Sequence, residues 1–348
     1  MIVLPRCLAR RFRAVLRRCA PHGPPPPVLL RATAESLALE SVPGDAALRL
    51  EHPGRQVPGL LALRADVLAR FEAATDDPVT LEGAGPGEGR ASWYAGGSPR
   101  AAAFATLDPA VLTPFPDAPA KLATLPAAFL GAMADAARVA AREPTRYALQ
   151  RVLLRGRTGE VVATDGKQLL VQAGFPFPWK DDALVPRLDV WGSRELPREG
   201  PVSAGRTDTH VLVRAGPWAF ALEVGRGARY PPFEGVLPRP GTAAGTLRLA
   251  REDLAALARE LPGLGGPAAR QAPVTLDLGP PSPCAPGARP PGRPTSWCWR
   301  GRRGRGRRRG WRSTAATFSR PRGWASPRPS CTSPTSPWCS ARPPASTS

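Results

Sequence analysis

Several segments of the chain place apolar residues at helical spacing. In the segment 6–19, one face carries Leu8, Phe12, Val15, Leu16 and Cys19, and the opposite face carries Arg6, Arg10, Arg13 and Arg17. Weaker helical patterns predict further helices at 63–74, 125–142, 187–196 and 247–261. The arginine row of the first helix fits two interpretations, a solvated charged face or a surface that meets phosphates.

Between these helices, apolar and polar residues alternate with the period of β-strands. Such runs lie at 28–33, 35–42, 46–52, 79–83, 91–96 and 102–107, and then at 147–156, 160–166, 169–177, 209–216, 218–224 and 272–279. Helices that are apolar on one side need a sheet to cover. The pattern therefore predicts an α+β fold of repeated helix-plus-antiparallel-sheet domains.

The same order of elements occurs twice and begins a third time. The segments 112–119 and 229–238 read LTPFPDAP and RYPPFEGVLP, so that Phe115 and Phe233 align at a spacing of about 118 residues. We therefore expect one domain at 1–120, a second at 121–240 and the start of an incomplete third at 241–279. Residues 280–348 form a separate tail rich in Pro, Arg and Ser.

Positive charge is concentrated in this tail. The whole chain has a formal net charge of +20, and the part from Pro280 onward contains 14 Arg and no Asp or Glu. A basic balance favours a polyanionic partner such as nucleic acid. The body before the tail is only mildly basic, so the body and the tail need separate explanations.

The residues that usually carry catalysis or bind metals are scattered. None of the six Cys forms a CxxC pair, and the three His stand far apart, so we expect no metal site, disulfide framework or cofactor. The glycine-rich stretch 83–89 lacks the spacing of a phosphate-binding loop. We found no apolar run long enough to cross a bilayer. We expect a non-catalytic protein in the cytoplasm, with an enzyme of α+β fold as a remote alternative.

The second block contains three sequence words of a known family. Residues 146–171 read RYALQRVLLRGRTGEVVATDGKQLLV, residues 183–196 read ALVPRLDVWGSREL, and residues 230–238 read YPPFEGVLP. In this order they resemble the middle domain of the bacterial DNA polymerase III beta subunit, the sliding clamp. The resemblance covers about residues 1–279 and is weaker in the first block. It implies the DNA-clamp fold, in which two three-domain chains form a ring around duplex DNA.

The resemblance also implies which residues meet DNA. Inner-wall guanidinium groups attract phosphates without reading sequence, which keeps sliding possible. The DNA-binding residues implied here are Arg10, Arg13, Arg17, Arg142, Arg146 and Tyr147. Tyr147 fits a half-buried packing role about equally well.

In the family, short peptides of polymerases and clamp-loader subunits dock in a hydrophobic pocket beside an Asp-Gly turn. The matching positions are Leu149, Thr164, Gly166, Leu169, Pro231 and Val236. The family's His-Arg pair is replaced by Lys167 and Gln168. The alternative is that these residues only pack a strand against a turn.

The tail leaves two interpretations open. It is either a native basic arm that binds nucleic acid, centred on GRRGRGRRRGWR, or the product of a frameshift. The codons for 297–300, read one nucleotide earlier, would encode an apolar residue followed by Val-Leu-Ala, which suits a strand of the incomplete third domain. If that domain is intact, we expect a homodimeric ring. The rival function is a basic nucleic-acid-binding protein that acts through its Arg-rich arm.

Overall fold

The computed structural model describes residues 1–20, 22–143, 148–227, 229–237, 250–260, 275–277, 297–298 and 317–319. The chain divides into two compact units, Met1–Val236 and Leu237–Ser348. The first unit contains two successive repeats, and the second contains one helix and three short strands among its described residues. The predicted α+β class is confirmed.

The first repeat is a strand, a helix, four strands, a single 3₁₀ turn and three more strands. Its elements are β1 (Ile2–Pro5), α1 (Arg6–Cys19), β2 (Pro27–Ala32), β3 (Ser36–Ser41), β4 (Ala46–Pro53), β5 (Gly59–Arg64), the 3₁₀ turn Val67–Arg70, β6 (Pro78–Gly85), β7 (Glu88–Ala95) and β8 (Ser98–Leu107).

The second repeat has the same succession of elements. They are β9 (Ala123–Leu125), α2 (Ala128–Val139), β10 (Arg151–Arg155), β11 (Glu160–Thr164), β12 (Leu169–Ala173), β13 (Ala183–Pro186), the 3₁₀ turn Asp189–Gly192, β14 (Val202–Arg206), β15 (His210–Ala215) and β16 (Trp218–Glu223). The internal repetition expected from the sequence is therefore present in the fold.

Each repeat pairs its strands in the same way. One set of four strands has the order β1-β6-β7-β8 in the first repeat and β9-β14-β15-β16 in the second, and a second set has β5-β2-β3-β4 and β13-β10-β11-β12. In the first repeat, pairing of β5 with β8 joins the two sets into one sheet, whereas β13-β10-β11-β12 is a sheet of its own. The pairings within both repeats are antiparallel, for example Leu39 with Leu50 and Val162 with Val171. At the junction, β4 pairs with β16 and places Leu48 opposite Phe220, so one sheet runs through both repeats.

Helix α1 buries the apolar face that its sequence predicts. Phe12 and Val15 are fully buried, and the ring of Phe12 stacks on that of Trp218 at a centroid distance of 6.4 Å. The helix follows Pro5, whose fixed φ suits the residue before a first turn. The core of the first repeat therefore continues into the second through this aromatic contact.

Three predicted helices are shorter than the sequence suggested. In place of the helix at 63–74, Leu63 belongs to β5, where it pairs with Val28, and only Val67–Arg70 turns as a 3₁₀-helix. The helix at 187–196 is reduced to the 3₁₀ turn Asp189–Gly192. The helix at 125–142 begins at Ala128, because Leu125 pairs with Val202 at the sheet edge. In each case tertiary pairing or packing prevails over local propensity.

The second unit contains α3 (Arg251–Glu260), which lies within the helix predicted at 247–261. It also contains β17 (Thr275–Asp277), β18 (Trp297–Cys298) and β19 (Thr317–Ser319), with β19 between the other two. Sequence periodicity gave no strand after Pro280, so β18 and β19 differ from that expectation. The remaining residues of the tail lie outside those the structure describes, and the frameshift stays a hypothesis.

Candidate functional site

The outward face of α1 is basic and contains no acidic residue. Arg10 and Arg17 are exposed, and neither has an ion pair with any residue that the structure describes. Arg17 and Arg18 occupy the last turn, where positive charge is favoured by the helix dipole. Arg10 and Arg17 are therefore placed as the sequence predicted, with guanidinium groups available to an anion.

Arg13 and Arg6 are more engaged than the helical pattern indicated. Arg13 Nη1 lies 2.5 Å from Glu72 Oε1, and both side chains are mostly buried. Arg6 Nε donates to the carbonyl oxygen of Phe71 at 2.6 Å. The positive charge of Arg13 is thus largely offset, so its role at DNA stays a prediction with less support than those of Arg10 and Arg17.

The basic residues predicted after α2 are only partly described. Arg142 is exposed just beyond the helix, whereas Arg146 and Tyr147 lie outside the described residues. On α2 itself Arg138 is exposed, and its Nη1 lies 2.8 Å from Asp135 Oδ1. Sequence reasoning did not single out Arg11 and Arg18 of α1; Arg18 is exposed, and Arg11 Nε lies 3.1 Å from Glu195 Oε2.

Four of the predicted pocket residues lie in or beside the turn that joins β11 to β12. Thr164 pairs with Leu169 across this turn, and its hydroxyl donates to the carbonyl oxygen of Gln168 at 2.6 Å. Gly166 has a φ of 88°, which a residue with a side chain rarely adopts. A Cβ added there would lie 3.7 Å from Leu149 Cδ1, so Leu149 and the turn are neighbours.

Asp165 fixes the shape of this turn. Its Oδ1 accepts hydrogen bonds from the backbone N–H groups of Lys167 and Gln168 at 2.8 and 2.9 Å. Desolvation by itself would raise the pKa of Asp165, but these hydrogen bonds outweigh it, and the pKa lies below its ordinary value. The carboxylate form therefore holds the turn in the conformation that presents Gly166.

Pro231 and Val236 lie on a separate segment, 229–236, which covers the outer face of the second repeat's sheet. Ala148 N–H donates to the carbonyl oxygen of Arg229 at 3.1 Å. Phe233 is buried in a cluster with Leu153, Val162 and Leu184, and Leu169 and Tyr230 pack against the same cluster. Burial raises the pKa of the Tyr230 hydroxyl. The exposed Val236 is an apolar side chain available to a partner.

This segment lines one side of a cleft; of the predicted pocket residues Pro231 lines it, and its other residues were not singled out from the sequence. Its volume is about 440 Å³, with Leu153, Leu184 and Phe233 among its apolar residues and Arg155, Arg229 and Glu234 among its charged ones. Arg155 and Glu160 face each other across the β10–β11 hairpin. That cross-strand pair was the one available sequence signal for the cleft, because a hairpin places such residues side by side.

Other kinds of site receive no support from the residues that the structure describes. Among them we found no group of three or more His, Cys, Asp or Glu that could hold a metal ion. None of the described helices is long and apolar enough to span a membrane. Burial raises the pKa of the Cys19 thiol to about 12, so this thiol stays protonated and unreactive near neutral pH.

No protein-family model matches the chain, and no curated protein matches it either. Solved structures do. The DNA polymerase III subunit beta from Pseudomonas aeruginosa matches with 21% sequence identity over 70% of this chain and 69% of that chain, at a TM-score of 0.57. The DNA polymerase sliding clamp from Bacillus subtilis matches with 17% identity over 68% and 67%, at a TM-score of 0.56.

A third match is the Helicobacter pylori beta clamp bound to a DNA ligase peptide, with 17% identity over 68% of this chain and 70% of that chain, at a TM-score of 0.53. At such identities the likeness establishes architecture. It agrees with the duplicated strand-helix-sheet order and with the sheet that runs through both repeats. The chain therefore has the DNA-clamp fold of the bacterial sliding clamps.

Proposed function

We propose that this chain is a DNA sliding clamp, a non-catalytic processivity factor for a replicative DNA polymerase. The observation that carries the proposal is the combination of the clamp fold with an acid-free arginine face on α1. A processivity factor needs attraction to phosphates and no chemistry at the DNA. The clamp fold and the basic helix meet that need together.

In this proposal the duplex meets the exposed guanidinium groups of Arg10 and Arg17. Each contact displaces condensed counterions from the DNA, so binding falls steeply with salt and is the same for every sequence. Contacts of this kind position the duplex without specifying a base. Arg142, and Arg13 once released from Glu72, would extend the same surface, with Arg146 and Tyr147 predicted beside them.

Partner proteins would dock through short peptides at the turn 164–169 and the segment 229–236. The support is the apolar character of Leu149, Leu169 and Val236 together with the peptide in the Helicobacter pylori clamp. Polymerase and clamp-loader subunits are the proposed partners, in the cytoplasm. The proposal includes a homodimer if the third domain is intact, because the ring needs that domain to meet the neighbouring chain.

The test is the salt dependence of duplex binding by the full chain. Replacing Arg10 and Arg17 by Ala removes two phosphate contacts, and the slope of log affinity against log salt should fall by about 2. Arg100→Ala is the matched control, because Arg100 is an exposed arginine on strand β8 and is not part of the arginine face of α1. Absence of duplex binding, or an unchanged slope in the double variant, would refute the proposal.

The second candidate function is a basic protein that binds nucleic acid through residues 280–348. Its support is that these residues include 14 Arg and no Asp or Glu. Removing residues 280–348 separates the two functions. Duplex affinity should largely persist if α1 binds DNA, and it should collapse if the tail does.

A further inference from the structure

Arg155, the last residue of β10, lies among three carboxylates from three different segments. Its Nη1 is 3.2 Å from Glu160 Oε2 on β11, and its Nη2 is 3.6 Å from Glu234 Oε1. Its Nε is 4.0 Å from Asp182 Oδ2, just before β13. The guanidinium carbon also lies 5.5 Å from the centre of the Phe233 ring. A single cation thus joins the sheet of the second repeat to the segment 229–236.

That segment carries two of the residues assigned to the peptide pocket, while the others lie on or beside the sheet. Phe233 anchors the segment in the cluster described above, and Val236 N–H donates to the carbonyl oxygen of Phe233 at 3.1 Å. One 3₁₀ turn, Glu234–Val236, separates the anchor from Val236. Any group that fixes Phe233 and Glu234 therefore also fixes where Val236 points.

The contacts of Arg155 differ in burial and hence in strength. The side chains of Arg155 and Glu160 are 26% and 22% exposed, whereas that of Glu234 is 59% exposed. Arg155 is consequently held on the sheet by Glu160, and it attracts Glu234 from a fixed position. Its cation over the ring of Phe233 adds a second attraction to the same segment.

We propose that Arg155 is a positioning residue for peptide binding: it holds the segment 229–236 against the sheet and so sets the spacing of the two walls of the pocket. This inference rests on the proposed function, because it needs the pocket to receive a peptide. Arg155 acts through Glu234 and Phe233. Arg155, Phe233 and Glu234 line the cleft of about 440 Å³ described above.

The experiment uses the full chain and a fluorescently labelled copy of the DNA ligase peptide that the Helicobacter pylori clamp binds. Fluorescence anisotropy gives the dissociation constant. Arg155→Gln should weaken binding about five-fold and Glu234→Gln about three-fold, because a partly exposed ion pair has a modest effect. Arg155→Lys keeps the charge but cannot reach all three carboxylates and the Phe233 ring at once, so it should lose less affinity than Arg155→Gln without matching the unaltered chain.

Non-additivity separates positioning from general damage to the fold. If the two residues act through one contact, the Arg155→Gln/Glu234→Gln double variant binds no more weakly than Arg155→Gln alone. Arg157→Gln is the matched control, since Arg157 is exposed on the same hairpin and should leave affinity unchanged. Glu234 is the more exposed partner, so its variant tests the idea even if Arg155→Gln folds poorly.

Two failures are distinguishable. If the unaltered chain does not bind the peptide, the proposed pocket is wrong and the role of Arg155 falls with it. If the unaltered chain binds and the Arg155→Gln and Glu234→Gln variants bind equally well, the positioning role alone is overturned. Strictly additive losses in the double variant would also overturn it.

Discussion

The two repeats share a topology and differ in the helix each presents. Helix α1 carries six arginines and no acidic residue, whereas α2 exposes Ala128, Gly131 and an Arg138 that is paired with Asp135. Both helices bury a phenylalanine, Phe12 in the middle of α1 and Phe129 at the start of α2. The buried face is thus kept in both repeats while the outer face varies, since packing constrains only the inner side.

Under the proposed function, this contrast indicates which helix carries the charge that would meet DNA. An α2 helix with the charge of α1 would carry exposed, unpaired cations like Arg10 and Arg17. Instead its exposed positions are mostly small, and its one arginine has a carboxylate partner. The attraction to phosphates is therefore expected to come mainly from the first repeat, with Arg142 as a contribution at the end of α2.

Truncating a buried phenylalanine should destabilise the protein most, and by a similar amount in the two repeats. Phe12→Ala should lower the free energy of unfolding by about 3–5 kcal/mol, as for other fully buried aromatic residues. Phe12 stacks on Trp218 of the second repeat, whereas Phe129 packs on Phe175 and Phe177 of its own. Urea unfolding of Phe12→Ala and Phe129→Ala measures both, with the exposed Leu60→Ala as control.

We expect both variants to shift one common transition, because the sheet and the Phe12 stack join the repeats. Two separate transitions, with Phe129→Ala moving only one of them, would show that the repeats unfold independently.

A smaller effect should follow from giving α2 the charge that it lacks. A Cβ at Gly131 would meet no atom within 4 Å, so an arginine fits there. Gly131→Arg should steepen the salt dependence of duplex binding by about 0.9 in log–log slope, and Arg17→Ala should reduce it by the same amount. Equilibrium binding at several salt concentrations measures both variants. An unchanged slope for Gly131→Arg would mean that α2 does not face the duplex.

The smallest expected effect concerns Asp165 in the β11–β12 turn. Because its pKa is lowered in the folded state, its carboxylate stabilises the protein at pH values above the unfolded pKa, and this stabilisation is lost as the pH falls through the folded pKa. Asp165→Asn should lower the free energy of unfolding by less than about 1 kcal/mol at neutral pH, because the exposed charge is screened and the Asn amide oxygen can still accept both hydrogen bonds. Urea unfolding across the acidic range should show the difference vanishing at low pH.

In the corresponding turn of the first repeat, Asp45 Oδ2 lies 2.5 Å from Arg151 Nη2. Asp45→Asn therefore serves as the comparison variant. A loss at Asp165→Asn that is equal at every pH would contradict the role given to its carboxylate.

Helix α1 could be predicted because its signal is local. A complete apolar face over 14 residues identifies it without any knowledge of its partners. The helix predicted at 63–74 does not form, because Leu63 pairs with Val28 in β2. A local pattern contains no information about that distant pairing. A short amphipathic stretch is compatible with a strand or with a single helical turn, and pairing with distant strands determines which of the two forms.

For the candidate site, the sequence indicated residue types in the turn but not the ion pairs that its arginines form. The turn residues Thr164 and Gly166 were identified by their resemblance to the clamp family, and the structure places Gly166 beside Leu149. The ion pairs of Arg13 with Glu72 and of Arg155 with Glu234 join residues from separate parts of the chain. Such contacts depend on side-chain geometry across the fold, which a linear pattern of charges does not contain.

The junction of β4 with β16 has a consequence for how the chain folds during synthesis. Strand β4 is made about 170 residues before its partner, which at ribosomal speed corresponds to a delay of roughly 10–30 s. Throughout that time its backbone edge is open to pairing with other chains. The nascent first repeat should therefore depend on rapid completion of the second, or on chaperones, to avoid aggregation.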